Sequence, residues 1–236
     1  MMFSMKRMTA IFQKDLKDLS KNMYVGTSLI LPFMLALFYR NMDFISIETH
    51  YLIINLTFVV VGLFVQSAII AEEKEKHTLR GLMLSPATLP EILTGKSLVS
   101  FLLTGVTILI CVGILGYDPV SPLLITIALI ISAFFYLALG TLIGLVSRTV
   151  IEASVIMLPV MFIFGFGSLF EILIEKYPML GFTTYLPSVQ LVELANEVEV
   201  GAGFVDIGLN LVIIFIWFIV TTLATIAVFK KREMDD

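Results

Sequence analysis

Long apolar runs alternate with short polar segments along the whole chain. Six apolar runs cover residues 23–39, 51–71, 98–116, 123–146, 153–170 and 207–229. Runs of about 20 residues fit a helix that crosses a bilayer, whereas a barrel strand shows about 10 residues of alternating polarity. The pattern therefore predicts an all-α integral membrane protein with six transmembrane helices, forming a single membrane domain over residues 1–236.

Proline and glycine predict irregularities in two of these runs. Pro32 is expected to break the first run, which is also the shortest. Pro159, Gly165 and Gly167 are expected to break the fifth run before Glu171. Between the fifth and sixth runs, the mixed segment 188–198 predicts a re-entrant or interfacial helical element rather than a spanning helix.

Residues 1–22 have a different pattern, in which lysines accompany apolar residues at helical spacing. The apolar positions are Met8, Ile11, Phe12, Leu16 and Leu19. This spacing predicts an amphipathic helix that lies on the membrane surface. A cleaved signal peptide is not expected, because the apolar run begins only at residue 23 and no small-residue cleavage site follows it.

The distribution of positive charge predicts the orientation. Segments 1–22, 72–97, 147–152 and 230–236 carry five, four, one and three of the fifteen Lys and Arg residues. The alternate loops carry only two, Arg40 and Lys176. The positive-inside rule therefore places both termini and segment 72–97 in the cytoplasm, and the helical elements between the fifth and sixth spans outside.

Composition agrees with a multi-pass membrane protein and excludes several kinds of site. Hydrophobic residues make up 58% of the chain and charged residues 14%, against about 25% charged in globular proteins. The single cysteine, Cys111, excludes an intrachain disulfide. The two histidines, His50 and His77, fall on opposite sides of the predicted membrane, so no metal site is predicted. A membrane enzyme built on loop carboxylates remains an alternative, but the chain has no recognisable catalytic motif.

Gly95-Lys96-Ser97 looks like the end of a phosphate-binding P-loop. The full motif needs a glycine at position 90, where this chain has proline. We therefore predict that the chain is not an enzyme and binds no ATP, so that any ATP-driven activity requires a partner.

Segment 72–97 is the only long polar interruption that carries dense charge of both signs between two apolar runs. Leu79, Leu82, Met83 and Pro86 form an apolar ridge at helical spacing. Thr88, with Glu91 three residues later, predicts a capping box at the start of a helix that continues into the third span. A short amphipathic helix between two spans is suited to contact a protein outside the membrane.

This segment resembles the loop after the second membrane helix of type-2 ABC transporter permeases. The family pattern is close to E-E-x-E-x-G-T-L-x-x-L-L-x-S-P followed by E-I-L-x-G-K, and the chain departs from it at His77, Arg80 and Met83. The matching residues are Glu72, Glu73, Glu75, Thr78, Leu79, Leu82, Ser85, Pro86, Glu91, Ile92, Leu93, Gly95 and Lys96.

The resemblance implies the permease subunit of an ATP-driven exporter in the cell membrane. It implies a coupling helix between spans 2 and 3 that binds a separate ATPase, present in two copies and holding ATP and Mg²⁺, and a second permease that is identical or homologous. Nucleic acid is not an expected partner, and membrane lipid is. The implied ATPase-coupling residues are Glu72, Glu75, Thr78, Leu79, Leu82, Met83, Ser85 and Pro86. A secondary transporter or channel, or a regulatory membrane protein, is the alternative.

Two polar or small-residue stripes on the spans suggest either packing or a translocation path. In the second span the stripe runs from Asn55 to Gln66, and both residues are candidates for the path together with Met157, Phe162 and Phe166 of the fifth span. Helix packing is the alternative for this stripe. In the fourth span, packing is predicted for the face formed by Ser132, Tyr136, Gly140 and Gly144.

Overall fold

The structure is a computed structural model that describes residues 4–19, 23–42, 44–76, 88–167 and 177–235. Every regular element in these residues is helical, and no strand occurs among them. The predicted all-α class is therefore confirmed.

The helices of the described residues are labelled in chain order. They are α1 (Met5–Leu19), α2 (Met23–Tyr39), α3 (Ile47–Glu75), α4 (Leu89–Leu115), α5 (Pro122–Val146), α6 (Val150–Gly165), α7 (Pro187–Glu199) and α8 (Gly208–Asp235). A 3₁₀ helix, Pro178–Tyr185, precedes α7. Within these residues α3, α4, α5 and α8 are long and apolar enough to cross a membrane, while α2 and α6 are shorter apolar helices.

Helices α3 and α4 extend beyond the predicted apolar runs because polar side chains stabilise their ends. At the start of α3, the Ser46 side chain accepts a hydrogen bond from the backbone of Thr49. At the start of α4, the predicted capping box is present, and the backbone N–H of Thr88 donates to Glu91 Oε2 over 2.7 Å. The prediction that the segment after Thr88 runs directly into the third span is confirmed.

Two expectations about helix breaks have different outcomes. Helix α2 continues through Pro32, so the predicted break there is wrong. Proline removes one backbone donor, and membrane helices tolerate this loss. Helix α6 changes to π geometry after Val160 and ends at Gly165, as predicted for a break before Glu171. Residues 168–176, which include Glu171, lie outside the described residues.

Helix α3 is the centre of the bundle, and its apolar window is entirely buried by the other helices. Helix α5 approaches it most closely at two glycines. A Cβ at Gly140 would lie 2.5 Å from the carbonyl oxygen of Leu63, and one at Gly144 would lie 2.7 Å from that of Ser67. The packing prediction for this face of α5 is therefore confirmed.

Helix α1 is present as predicted, but its apolar face packs on α4 and is not free to face lipid. Met8 and Ile11 are buried in this contact and Leu19 is buried against residues of α3 and α4, whereas Leu16 is 51% exposed. A Cβ at Gly95 of α4 would lie 3.0 Å from the carbonyl oxygen of Met8, so the small residue lets the two backbones approach.

Segment 188–198, predicted to be an interfacial element, forms most of α7 and is largely buried. Leu191, Leu194 and Val198 are each inaccessible to solvent, because α7 packs against α3, α5 and α8. The helical prediction is confirmed, but the element belongs to the core of the bundle.

We expect Gly140→Ala to destabilise the bundle, because the new methyl group would overlap the α3 backbone. Overpacking of this kind costs about 1–3 kcal/mol. The matched control is Gly105→Ala in α4, where a Cβ would meet no atom within 4 Å. Thermal unfolding in detergent measures both variants, and equal melting temperatures would contradict the close contact.

Candidate coupling site

The predicted coupling residues lie where the charged end of α3 leads into segment 77–87. Helix α3 ends at Glu75, and Lys76 is the last residue described before Thr88. Glu72 and Glu75 are therefore within the described residues. The other predicted coupling residues lie outside them: Thr78, Leu79, Leu82, Met83, Ser85 and Pro86.

Lys96 forms a buried ion network that joins three helices. Its ammonium group lies 3.1 Å from Asp15 Oδ2 on α1 and 3.1 Å from Glu73 Oε1 on α3. The Lys96 side chain is fully buried. Lys14 of α1 adds a second cation, with its Nζ 2.5 Å from Glu73 Oε1. The network thus contains two cations and two carboxylates, and it includes the end of α3 from which segment 77–87 continues.

Burial sets the electrostatics of this network. Burial raises the pKa of the Asp15 carboxyl, and it does so more strongly than the Lys96 charge lowers it. For Lys14, burial acts to lower the pKa, but the hydrogen bond and negative charge of Glu73 outweigh it and the pKa is raised. The ions are therefore held together at a desolvation cost, and removal of one partner leaves others buried without compensation.

Glu91 makes a second connection between α1 and α4. Besides capping α4 through Thr88, its carboxylate accepts a hydrogen bond from the backbone N–H of Ser4 and lies 3.6 Å from Arg7 Nη2. Helix α1 thus contacts the end of α3 through Lys14, which binds Glu73, and contacts α4 through Arg7 and Asp15. The end of α3 and the start of α4, which flank segment 77–87, are therefore both bound to α1.

Two further residues at the end of α3 turn towards α5 and α6. The Lys74 ammonium group donates to the carbonyl oxygens of Leu145, at 2.6 Å, and Ser147. The Glu75 carboxylate accepts a hydrogen bond of 3.1 Å from the backbone N–H of Val150. Glu72, in contrast, forms an ion pair within its own helix, with Lys76, and both residues line a pocket between α1 and α3.

Some of these residues were not among the predicted site residues, although the sequence contains a signal for two of them, Asp15 and Lys96. Asp15 falls on the same helical face as Met8, Ile11 and Leu19, which marks an acid on a buried face. The signal for Lys96 is its position within a helix that enters an apolar span, where an unpaired cation is costly. Nothing in the spacing indicates which acids it contacts.

The two path candidates on α3 are buried and hydrogen-bonded within the chain. Asn55 Nδ2 donates to the carbonyl oxygen of Ser188 over 3.1 Å. Gln66 donates to Thr141 Oγ1 over 2.9 Å and accepts from Ser100 Oγ over 2.9 Å. These contacts support the packing alternative for both residues, and their role in a path stays a prediction.

The path candidates on α6 do not share one surface. Met157 is buried, whereas Phe162 is 60% exposed and lies on the outer side of the helix. The Phe162 and Phe166 rings are neighbours, with centroids 5.8 Å apart. Any path that includes Phe162 must therefore run along the outside of this chain, and that role also stays a prediction.

We expect Lys96→Met to destabilise the protein more than Asp15→Asn. The first variant leaves Asp15 buried without its hydrogen-bonded cation and Glu73 with Lys14 alone, and breaking a buried pair costs about 3–5 kcal/mol. The second keeps the Lys96–Glu73 contact, and the new amide oxygen still accepts a hydrogen bond. Thermal unfolding in detergent gives the order of stability.

The raised pKa of Asp15 adds a pH criterion to this comparison. Because the folded state holds this proton to higher pH than the unfolded chain, Asp15 favours folding at acid pH, and this contribution is lost as the pH rises through the raised pKa. Asp15→Asn should remove that part of the pH dependence. If Lys96→Met unfolds no more easily than Asp15→Asn, the network does not hold the three helices together.

Comparison with known protein families agrees with this arrangement of helices. The family of ABC-2 family transporter proteins matches residues 8–227, from α1 to the apolar part of α8. No curated protein matches the chain. Members of this family are membrane components of ABC transporters and associate with an ABC ATPase. The chain therefore belongs to the ABC-2 transporter family and is a multi-pass membrane permease component of an ABC transporter.

Proposed function

We propose that this chain is the permease subunit of an ATP-driven exporter and that segment 77–87 docks on the ATPase. The observation that carries the proposal is the charged end of α3, where Glu73, Lys74 and Glu75 contact α1, α4, α5 and α6. A force applied to the following segment would thus reach four other helices. The sequence of that segment has the apolar ridge and flanking charges expected of a protein interface with a polar rim.

The assembly in this proposal contains two permeases, identical or homologous, and two ATPase subunits that hold ATP and Mg²⁺. Closure of the ATPase pair on ATP moves the docked segments, and the path between the permeases changes from inward to outward access. The chain itself contributes no catalytic residue. Its six apolar helices, α2 to α6 and α8, cross the cell membrane with both termini in the cytoplasm, and α7 lies towards the outside.

The positions of the acids favour this function over a secondary transporter. Ion-coupled transporters place a carboxylate within the membrane, on the route of the coupling ion. In the described part of the apolar helices, the acids lie in the first or last turns of α3, α4, α6 and α8. The proposed energy source is therefore ATP hydrolysis in a partner.

The docking proposal predicts that Leu82→Asp weakens ATPase binding without preventing membrane insertion. A buried, unpaired carboxylate would cost about 3 kcal/mol, which corresponds to more than a hundredfold in affinity. The measurement is the amount of ATPase that copurifies with the permease.

The matched control is Leu84→Asp, because residue 84 falls on the opposite side of the predicted helix from the ridge. We expect the control to retain the ATPase. Undiminished copurification with Leu82→Asp would exclude docking through the ridge.

The orientation is tested with single cysteines in a Cys111→Ser background. Lys76 and Val200 are suitable positions, because their side chains are 63% and 86% exposed. We expect an impermeant thiol reagent added to intact cells to label a cysteine at position 200 and not one at position 76, and to label both after lysis. Labelling of position 76 in sealed cells would reverse the proposed orientation.

A further inference from the structure

Two adjacent side chains at the end of α3 hold the facing ends of α5 and α6. Lys74 contacts the carbonyl group of Leu145, in the last turn of α5, and that of Ser147, which caps α5, and Glu75 contacts the first N–H group of α6, that of Val150. Only residues 147–149 separate the two helices. Two adjacent residues of α3 therefore bind both ends of the turn between them.

The charges of the pair match the ends that they bind. The C-terminal carbonyl groups of a helix carry partial negative charge and favour a cation, whereas the N-terminal N–H groups favour an anion. Lys74 is placed at the first kind of end and Glu75 at the second. The contacts are charge-assisted hydrogen bonds, which are about twice as strong as neutral ones.

From these contacts we propose that Lys74 and Glu75 are positioning residues that transmit movement of segment 77–87 to α6. The inference rests on the proposed function and deepens it by naming the route. Glu75 is the last residue of α3, so it lies next to the segment that would dock on the ATPase. A displacement of this helix end must either break both contacts or carry the α5–α6 turn with it.

Helix α6 is built so that a movement at its base changes the direction of its outer half. Pro159 removes one backbone donor, and the helix has π geometry from Met161 to Gly165. Such interruptions are the usual positions of bends in helices. The outer face of α6 is also uncovered within the chain, with Ile151, Val155, Leu158 and Phe162 each more than half exposed.

The next lysine along the chain provides a matched control. Lys76 directly follows α3 and also carries one positive charge, but its Nζ lies 2.5 Å from Glu72 of α3, and the Lys76 side chain is 63% exposed. Lys76→Met therefore removes a lysine side chain, as Lys74→Met does, but breaks no contact with α5 or α6. If only charge near the docking segment mattered, Lys74→Met and Lys76→Met would behave alike.

The experiment measures how far α6 moves when nucleotide binds to the assembled transporter. Spin labels are placed at Ile151, which is 68% exposed at the base of α6, and at Asp118, an exposed residue of the α4–α5 loop, in a Cys111→Ser chain. The permease is reconstituted with its ATPase in lipid nanodiscs. The distance between the labels is recorded by pulsed electron paramagnetic resonance with and without ATP and Mg²⁺.

We expect the unmodified contacts to give an ATP-dependent change in this distance. Lys74→Met should abolish the change in complexes that still contain the ATPase, because loss of the charged hydrogen bonds weakens the coupling about tenfold or more. Lys74→Arg, which keeps the charge and the donors, should restore the change, and Lys76→Met should retain it. If Lys74→Met prevents assembly, Glu75→Gln is measured in the same way, since it removes the charge at α6 and leaves Lys74 in place.

The outcomes separate this inference from the proposed function. If the reference chain binds no ATPase or shows no ATP-dependent change, the proposed function fails. If it does both and Lys74→Met keeps the full change in assembled complexes, only the route through Lys74 is excluded. A merely structural role would lower the yield or the melting temperature and leave the ATP-dependent change intact.

Discussion

The buried contact of Lys96 with Asp15 and Glu73 is the constraint that determines how α1, α3 and α4 meet. A lysine without solvent is tolerated only beside compensating acids, so α1, α3 and α4 must meet at one point. That point includes Glu73, near the end of α3 from which segment 77–87 continues. The end of α3 is therefore bound to both α1 and α4.

The rest of the bundle is organised around the burial of α3. Glycines of α5 bring the two backbones together, and Gln66 completes its hydrogen bonds with residues of α4 and α5. Because its apolar window is buried all round, α3 presents little surface to a cargo. Exposed apolar faces lie on α2, α4, α5, α6 and α8, where lipid is an available neighbour.

Much of the fold was predictable from residues close together in the sequence. The candidate site was less predictable, because its contacts join residues far apart in the sequence. Thr88 and Glu91 fix the start of α4 within one turn, and the spacing of Gly140 and Gly144 indicates a close approach of helices. The predicted break at Pro32 was wrong, because the loss of a single backbone donor does not end a membrane helix. The partners of Lys96 were not predictable, because Asp15 is 81 residues away and no sequence pattern links Asp15 or Glu73 to this lysine. The burial of α7 likewise depends on which helices surround it. Its mixed polarity alone predicted an element at the membrane interface.

The separation between α1 and its partners also affects the order in which the protein is made. Asp15 is synthesised 81 residues before Lys96, an interval of roughly 4–16 s at ordinary rates of translation. During that time α1 has neither Lys96 nor the α4 surface that buries Met8 and Ile11. Lys14 therefore accompanies the first membrane insertions before its partner Glu73 has been made, and the contact between Asp15 and Lys96 forms only after α4 has emerged.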